Sequence, residues 1–205
     1  MVRDVSAGPR QRLSKSDRHR QLLDTARELI RDDGADTFTL GRLAERAGVT
    51  KPLVYDHFGD RAGVLAELYR EFEERQRETL EEALRDAAPD LAVVSSLVAG
   101  AYIDCCLAEG RELASVVAAL AGSATLTQVR QEAEDEYLSM CRAALEPLGG
   151  PLDAASLAAI VGAGDALARR ALDGSIGADR ARATLTQLVA ALCRETTQDA
   201  GTTER

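Results

Sequence analysis

The sequence predicts an all-α protein: an N-terminal three-helix helix-turn-helix domain followed by a larger C-terminal helical domain. Three observations carry that reading. Apolar residues recur at spacings of three and four along most of the 205 residues. Glycine and proline punctuate those stretches at Gly34, Gly48, Gly59, Gly110, Gly122, Gly149-Gly150-Pro151 and Gly174 to Gly177. No strand-like alternation of useful length and no internal repeat breaks the pattern. Hydrophobic residues make up 45% of the chain, enough for a core, and charged residues 29%.

The elements follow in order. Residues 1–16 hold Gly8, Pro9 and scattered arginines with no period, and read as a flexible basic arm. A helix is expected from Asp17, capped by Ser16 or Asp17, with Leu22, Leu23, Ala26, Leu29 and Ile30 on one face. Gly34 sits just past its end, where a cap residue with positive φ belongs. Thr39 can cap a short helix running to about Ala47, with Leu43 and Ala44 inward. Gly48-Val49-Thr50 makes a turn, and a second short helix runs from Lys51 or Pro52 to about Phe58. Pro52 suits a first helical turn, where its missing N–H is not needed. After Gly59-Asp60 a long helix carries Val64, Leu65, Leu68, Tyr69 and Phe72 on one side and is expected to reach about Ala87, before Pro89. Further helices are expected near 90–108, 110–121, 124–146, 153–173 and 178–197. The domains are then the arm 1–16, a unit at 17–61 and a body at 62–205, with no floppy linker at residue 61.

Charge is polarised along the chain. The net charge is −9, yet residues 1–61 hold 12 basic and 10 acidic side chains while residues 62–205 hold 13 and 24. Residues 1–20 alone hold six basic and two acidic groups. A basic contact surface on an acidic body fits this, as does a solvated tail. No continuous apolar run reaches the ~18 residues that span a bilayer. The start of the chain is basic and polar and lacks the apolar segment of a secretory signal, so the expected compartment is the cytoplasm, without a membrane partner. Cys105, Cys106, Cys141 and Cys193 form no Cys-x-x-Cys pair and read as reduced, half-buried thiols. The two histidines, His19 and His57, stand far apart. With no metal-ligand cluster, phosphate loop or nucleophile–base set in view, no catalysis, cofactor or metal is expected.

The informative stretch is residues 37–61, TFTLGRLAERAGVTKPLVYDHFGDR. Ala44 is small, so the second short helix can cross close by, and Gly48 takes the tight turn between the two. Val49, Val54 and Phe58 are apolar plugs. Together these make a helix-turn-helix whose second helix can enter a DNA major groove. Val54 and Phe58 share the inner side at i, i+4, which places Pro52 and Asp56 opposite with Leu53 beside them. Lys51 stands at the positive N-terminal tip, Tyr55 offers a hydroxyl to a phosphate, and the Thr39 and Thr50 hydroxyls can do the same. Arg61, opening the next helix, can flank the DNA backbone. Arg3, Arg10, Arg12, Lys15, Arg18 and Arg20 could enter a minor groove or form a nonspecific tail.

These residues resemble the DNA-binding domain of the TetR (tetracycline repressor) family. Leu43-Ala44, Ala47-Gly48-Val49-Thr50 and Val54-Tyr55-Asp56-His57-Phe58 carry the resemblance, with Asp60-Arg61 after them and Ala26, Gly34 and Thr39 before. It covers about residues 17–72. It implies a transcription regulator, most often a repressor, that binds a double-stranded palindromic operator as a homodimer and answers to a small-molecule effector. It places Thr39, Thr50, Tyr55, His57 and Arg61 at phosphate-contacting or interface-positioning sites, and Lys51, Pro52 and Leu53 at the groove-facing tip. Two departures stand out. Gly41 occupies a place where some members present a base-reading side chain, and Asp56 would repel phosphates unless it accepts from a cytosine amino group or points to solvent.

In the body, stripes at Leu157, Ile160, Val161, Ala168, Leu172 and at Leu185, Leu188, Val189, Leu192 mark two apolar helix faces. Ala158, Ala159, Gly162, Ala163 and Gly164 allow a close neighbour. The resemblance implies that these last two helices pair with their copies in a four-helix dimer interface formed by Leu157, Ile160, Val161, Leu185, Leu188, Val189 and Leu192; packing within one chain is the alternative. Two recognition helices about 34–36 Å apart, or a multiple of that, would read a palindrome. The resemblance also implies a pocket, with Tyr102, Cys105, Cys106, Tyr137, Met140 and Cys141 as candidate lining.

Overall fold

The computed structural model describes residues 13–120 and 124–200, all in helices and short connections. The expected roles of Arg3, Arg10 and Arg12 lie outside the described residues. Helix α1 (Lys15–Asp33) starts two residues before Asp17 because Ser14, not Ser16, caps it: its Oγ accepts the Asp17 N–H at 3.0 Å. Lys15 thus belongs to the helix and not to an arm. A single 3₁₀ turn (Ala35–Thr37) leads into α2 (Leu40–Ala47), α3 (Lys51–Phe58) and the long α4 (Arg61–Leu84). Thr39 caps α2 by accepting the Arg42 N–H at 3.2 Å, and Asp60 caps α4 by accepting the Gly63 N–H at 2.8 Å.

α5 (Leu91–Leu120) is bent at Gly110 (φ 60°, ψ −143°), so the two helices expected at 90–108 and 110–121 are its halves. α6 (Ala124–Gly149), α7 (Ala154–Leu172) and α8 (Ala178–Ala200) complete the body. α5 runs through the middle and packs on α4, α6, α7 and α8, while its C-terminal part reaches α1 and the 3₁₀ turn. That position accounts for its composition. Leu91–Gly110 has a mean hydropathy of 1.9 over 20 residues, enough by length and average to cross a membrane although it contains Asp104 and Glu109; half of that window is buried inside the protein.

Two apolar cores result. The first joins α1, the 3₁₀ turn, α2, α3 and α4 as far as Tyr69, and takes Val116 from α5 and Val129 from α6. The second fills the body from Phe72 onward. One expectation is overturned there. Leu157, Ile160, Leu185 and Val189 are 2%, 1%, 0% and 0% exposed inside a single chain, so they form its core and not a subunit surface. The physical reason is that α7 and α8 turn these stripes onto each other and onto α5. A helical period shows that a face is covered, not by what. Val161, Leu188 and Leu192 are half-buried. Truncating Leu185 to Ala is expected to cost the folded chain about 2–5 kcal/mol in denaturant unfolding. A variant of unchanged stability that only separates subunits would return Leu185 to an interface.

Candidate nucleic-acid interface and internal cavity

The bend between α2 and α3 is set by Gly48, whose φ of 66° and ψ of 37° lie in the left-handed region that a side chain resists. The Val49 N–H closes the turn on the Ala44 carbonyl at 3.0 Å. Val54 and Phe58, 0% and 8% exposed, sink into the first core with Leu43 and Ala44. Their burial leaves the opposite side of α3 outward: Lys51, Pro52, Tyr55 and Asp56 are exposed and Leu53 is half-buried. Tyr55 is 54% exposed, a large ring held in solvent on a rigid helix. Thr50 is exposed and its side chain caps nothing, so its hydroxyl can serve another partner. Thr39 is exposed and already accepts one backbone N–H, which leaves its O–H to donate.

Gly41 has a local reason. A Cβ there would stand 3.3 Å from Cε of Lys51, so the Lys51 stem lies over α2 where a larger residue would push it.

Arg61 and His57 take positioning places in this geometry. Arg61 is half-buried, and its guanidinium donates to the Phe38 carbonyl at 3.1 Å and the Ala35 carbonyl at 2.8 Å, tying the start of α4 to the turn before α2. His57 faces His19 of α1, Nδ1 to Nδ1 at 3.2 Å, and Nε2 of His19 meets the Glu67 carboxylate of α4 at 2.5 Å. One shared proton satisfies the two facing nitrogens; two would repel. Burial first, then the charges of His19 and Lys15, push the His57 pKa below 6.5. The role of His19 is not legible in the sequence, because its partners lie 38 and 48 residues away.

The first core is tied to the body by polar contacts on the far side of Gly110. The Glu112 carboxylate, 8% exposed, meets Arg27 at 3.4 Å and Arg31 at 3.2 Å, and Arg27 also pairs with Glu71. Burial raises the Glu112 pKa and the two arginines offset part of that rise. The Ala35 N–H donates to Ser115 Oγ at 2.7 Å, which joins the turn before α2 directly to α5.

A cavity of about 150 Å³ opens in the body between α4, α5, α6 and α7. Of the residues expected to line it, Tyr102, Cys106 and Tyr137 do; Cys105, Met140 and Cys141 sit in or against the surrounding core. Burial holds the Cys105 thiol up at about 11 and the Cys141 thiol at about 12, so both are protonated core filling. The lining the sequence missed comes from α4 and α7: Tyr69, Phe72, Glu73 and Gln76, then Val161, Asp165, Ala168 and Arg169. Leu113 and Val117, just beyond Gly110, line it as well. The same short segment therefore walls the cavity and touches α1.

Residues 22–68 match the family model described as bacterial regulatory proteins of the tetR family. An HTH-type transcriptional activator, FasR, of Mycolicibacterium smegmatis is 36% identical over 76 residues, which cover 37% of this chain and 33% of that protein. An HTH-type transcriptional repressor of Mycobacterium tuberculosis is 38% identical over 80 residues, covering 36% of this chain and 43% of that one. The chain therefore matches well under half the length of these two relatives. A solved structure of the regulator FadR from Bacillus subtilis, in complex with stearoyl-CoA, superposes with a TM-score of 0.69 at 22% identity, covering 84% of this chain and 97% of that one. That likeness establishes the fold over 84% of this chain.

The lowered His57 pKa fixes the sign of a pH effect. The folded chain takes up that proton less readily than the unfolded chain, so this contribution to stability is full above 6.5 and is lost as pH falls below it through the lower folded value. Thermal unfolding at about pH 7.5 and about pH 5 is expected to show a fall in Tm on acidification that His57→Gln reduces. An unchanged fall in that variant would assign the effect elsewhere.

Proposed function

The chain belongs to the TetR family of bacterial regulatory proteins through its N-terminal domain, and from that premise we propose that it is a DNA-binding transcription regulator. It acts as a homodimer on a palindromic operator, in the cytoplasm, as a repressor released by a small molecule. The carrying observation is α3: an eight-residue helix whose inner side is locked into a core and whose outer side presents Lys51, Pro52 and Tyr55 to solvent. Lys51 and the α3 N-terminus supply positive potential, while Tyr55, Thr50 and Thr39 supply hydroxyl donors for phosphates. Arg61 and His57 serve by holding α3 against α4 and α1.

Support for the homodimer comes from the outward faces of α7 and α8. Ala158, Ala159 and Gly162 are exposed on α7, beside the half-buried Val161, and Leu188 and Leu192 are half-buried on α8. Small residues there let two helix pairs approach closely. Support for release by a ligand comes from the cavity, which shares α4 with the first core and shares the segment after Gly110 with α1. Occupancy that moves α4 or that segment moves both recognition helices, and a coupling of about 1–3 kcal/mol suffices for a switch. Stearoyl-CoA is the ligand of the B. subtilis protein; a pocket in the corresponding body is the feature taken from it.

Lys51→Ala and Tyr55→Ala are each expected to weaken binding to operator duplex by on the order of tenfold at low salt, with the dimer intact by sedimentation. Lys51→Ala is also expected to lower the slope of log K against log salt by about one. Gly162→Arg is expected to separate the protomers and to weaken operator binding through loss of the second half-site. Duplex binding unaffected by either α3 variant would sink the assignment of that face.

A further inference from the structure

For the cavity among α4, α5, α6 and α7, the geometry points to one ligand class: an organic cation with an apolar, single-ring-sized body. Calling this ligand an effector rests on the regulator reading; the site itself stands on the cavity.

The chain is poor in aromatic residues, with four tyrosines, three phenylalanines and no tryptophan. Four of those seven, Tyr69, Phe72, Tyr102 and Tyr137, converge on this one cavity. Tyr102 and Tyr137 meet edge to face at 5.6 Å, and Tyr69 and Phe72 lie tilted at 6.3 Å. Such rings offer an apolar wall with negative faces, which attracts a cation. The volume of about 150 Å³ is that of a cavity holding a single aromatic ring.

The charge of the wall has the matching sign. Asp165 and Glu134 line the cavity with one guanidinium, Arg169. Neither Asp165 nor Glu134 enters an ion pair among the described residues. The exposed Asp165 accepts the Tyr102 hydroxyl at 2.7 Å, a neutral donor that orients the carboxylate without pairing its charge. Gly164 makes that bond possible: a Cβ there would stand 2.6 Å from the Tyr102 ring, so the ring lies flush on α7 with its hydroxyl delivered to the next residue. Burial first, then the Asp165 charge, raises the pKa of both the Tyr102 hydroxyl and the Cys106 thiol. An adjoining depression shares Glu73 and Tyr137 and adds Glu132 and Glu136 with Arg70, beside the ion-paired Glu74 and Arg77. Approach from that side also favours a cation.

An independent sign of a ligand is Gln76. It is 4% exposed, lines the cavity, and its Nε2 donor has no partner. An orphan buried donor is costly unless an occupant accepts from it. A carbonyl, ether or hydroxyl oxygen on the α4 side of an occupant would accept from it, a contact separate from the charge preference. An acyl thioester of a polyphosphate carrier, with its strong negative charge, meets the wrong sign here.

Three probes that share a benzyl group and differ in the charge of a tetrahedral head test this: benzyltrimethylammonium, neopentylbenzene and phenylmethanesulfonate. Binding to the full-length chain is measured by calorimetry and by tyrosine fluorescence, without DNA. The cation is expected to bind about tenfold or more tighter than its neutral carbon isostere, and the sulfonate weakest. Asp165→Asn combined with Glu134→Gln is expected to abolish most of that preference while changing the neutral probe's affinity by less than about twofold. Equal binding of cation and isostere, tightest binding of the sulfonate, a preference that survives the double substitution, or binding of none of the three overturns the inference. Duplex binding by the same preparation is read separately. If duplex binding is absent at every salt while the cation preference holds, only the regulator reading fails. If it is present while the neutral or anionic probe binds best, only the ligand class fails.

Discussion

α4 is packed into two cores at once, and most of the molecule follows from that constraint. Its first two turns, Val64, Leu65, Leu68 and Tyr69, seal the N-terminal unit, while Phe72 and Leu80 belong to the body. A close-packed interior transmits displacement because it has little void to absorb it. The helix can therefore not shift at one end without disturbing the other. Arg61 bolts its start to the Ala35 and Phe38 carbonyls, so the turn before α2 moves with it. The segment beyond Gly110 adds a second tie, in which a buried carboxylate lies between Arg27 and Arg31. Breaking one partner of such a buried set is costly because it strands a charge, so these contacts favour concerted movement over local fraying.

The two functional surfaces use opposite electrostatics within one acidic chain. The outer side of α3 concentrates a lysine, hydroxyls and a helix N-terminus where a polyanion can approach. The cavity concentrates carboxylates and ring faces where a cation can be held. Tyr102 over Gly164 shows how a missing side chain makes room for a neighbouring ring and so places its polar end. The hydroxyl belongs to α5 and its placement depends on a glycine of α7.

Local pattern was enough for the elements, because helix periodicity, caps and breakers act within a few residues. Thr39, Gly48, Pro52, Asp60 and Gly110 each mark their boundary by chemistry that the adjoining turn uses directly. α1 starts two residues before Asp17 because Ser14, one of two nearby serines competent to cap, takes the Asp17 N–H. The exposed set on α3 was legible for the same local reason, since two apolar plugs at i, i+4 fix which side remains outside.

Partner identity was not legible. The stripes at Leu157 and Ile160 and at Leu185 and Val189 have the same spacing whether a neighbouring helix of the same chain or of a second copy covers them, and the fold chose the former. Nor could spacing tell that Cys105 and Cys141 would fill core while Cys106 faced the cavity, because adjacent residues on a helix differ by about 100° and the cavity's direction comes from elements far away. The sequence by itself determined the helices, the bent pair and the face that pair shows to solvent, since these follow from interactions along one short stretch of chain. Tertiary structure alone decided the His57–His19–Glu67 chain, the ties of Glu112 and the convergence of four scarce aromatic rings with Asp165, since each joins residues brought together only by packing.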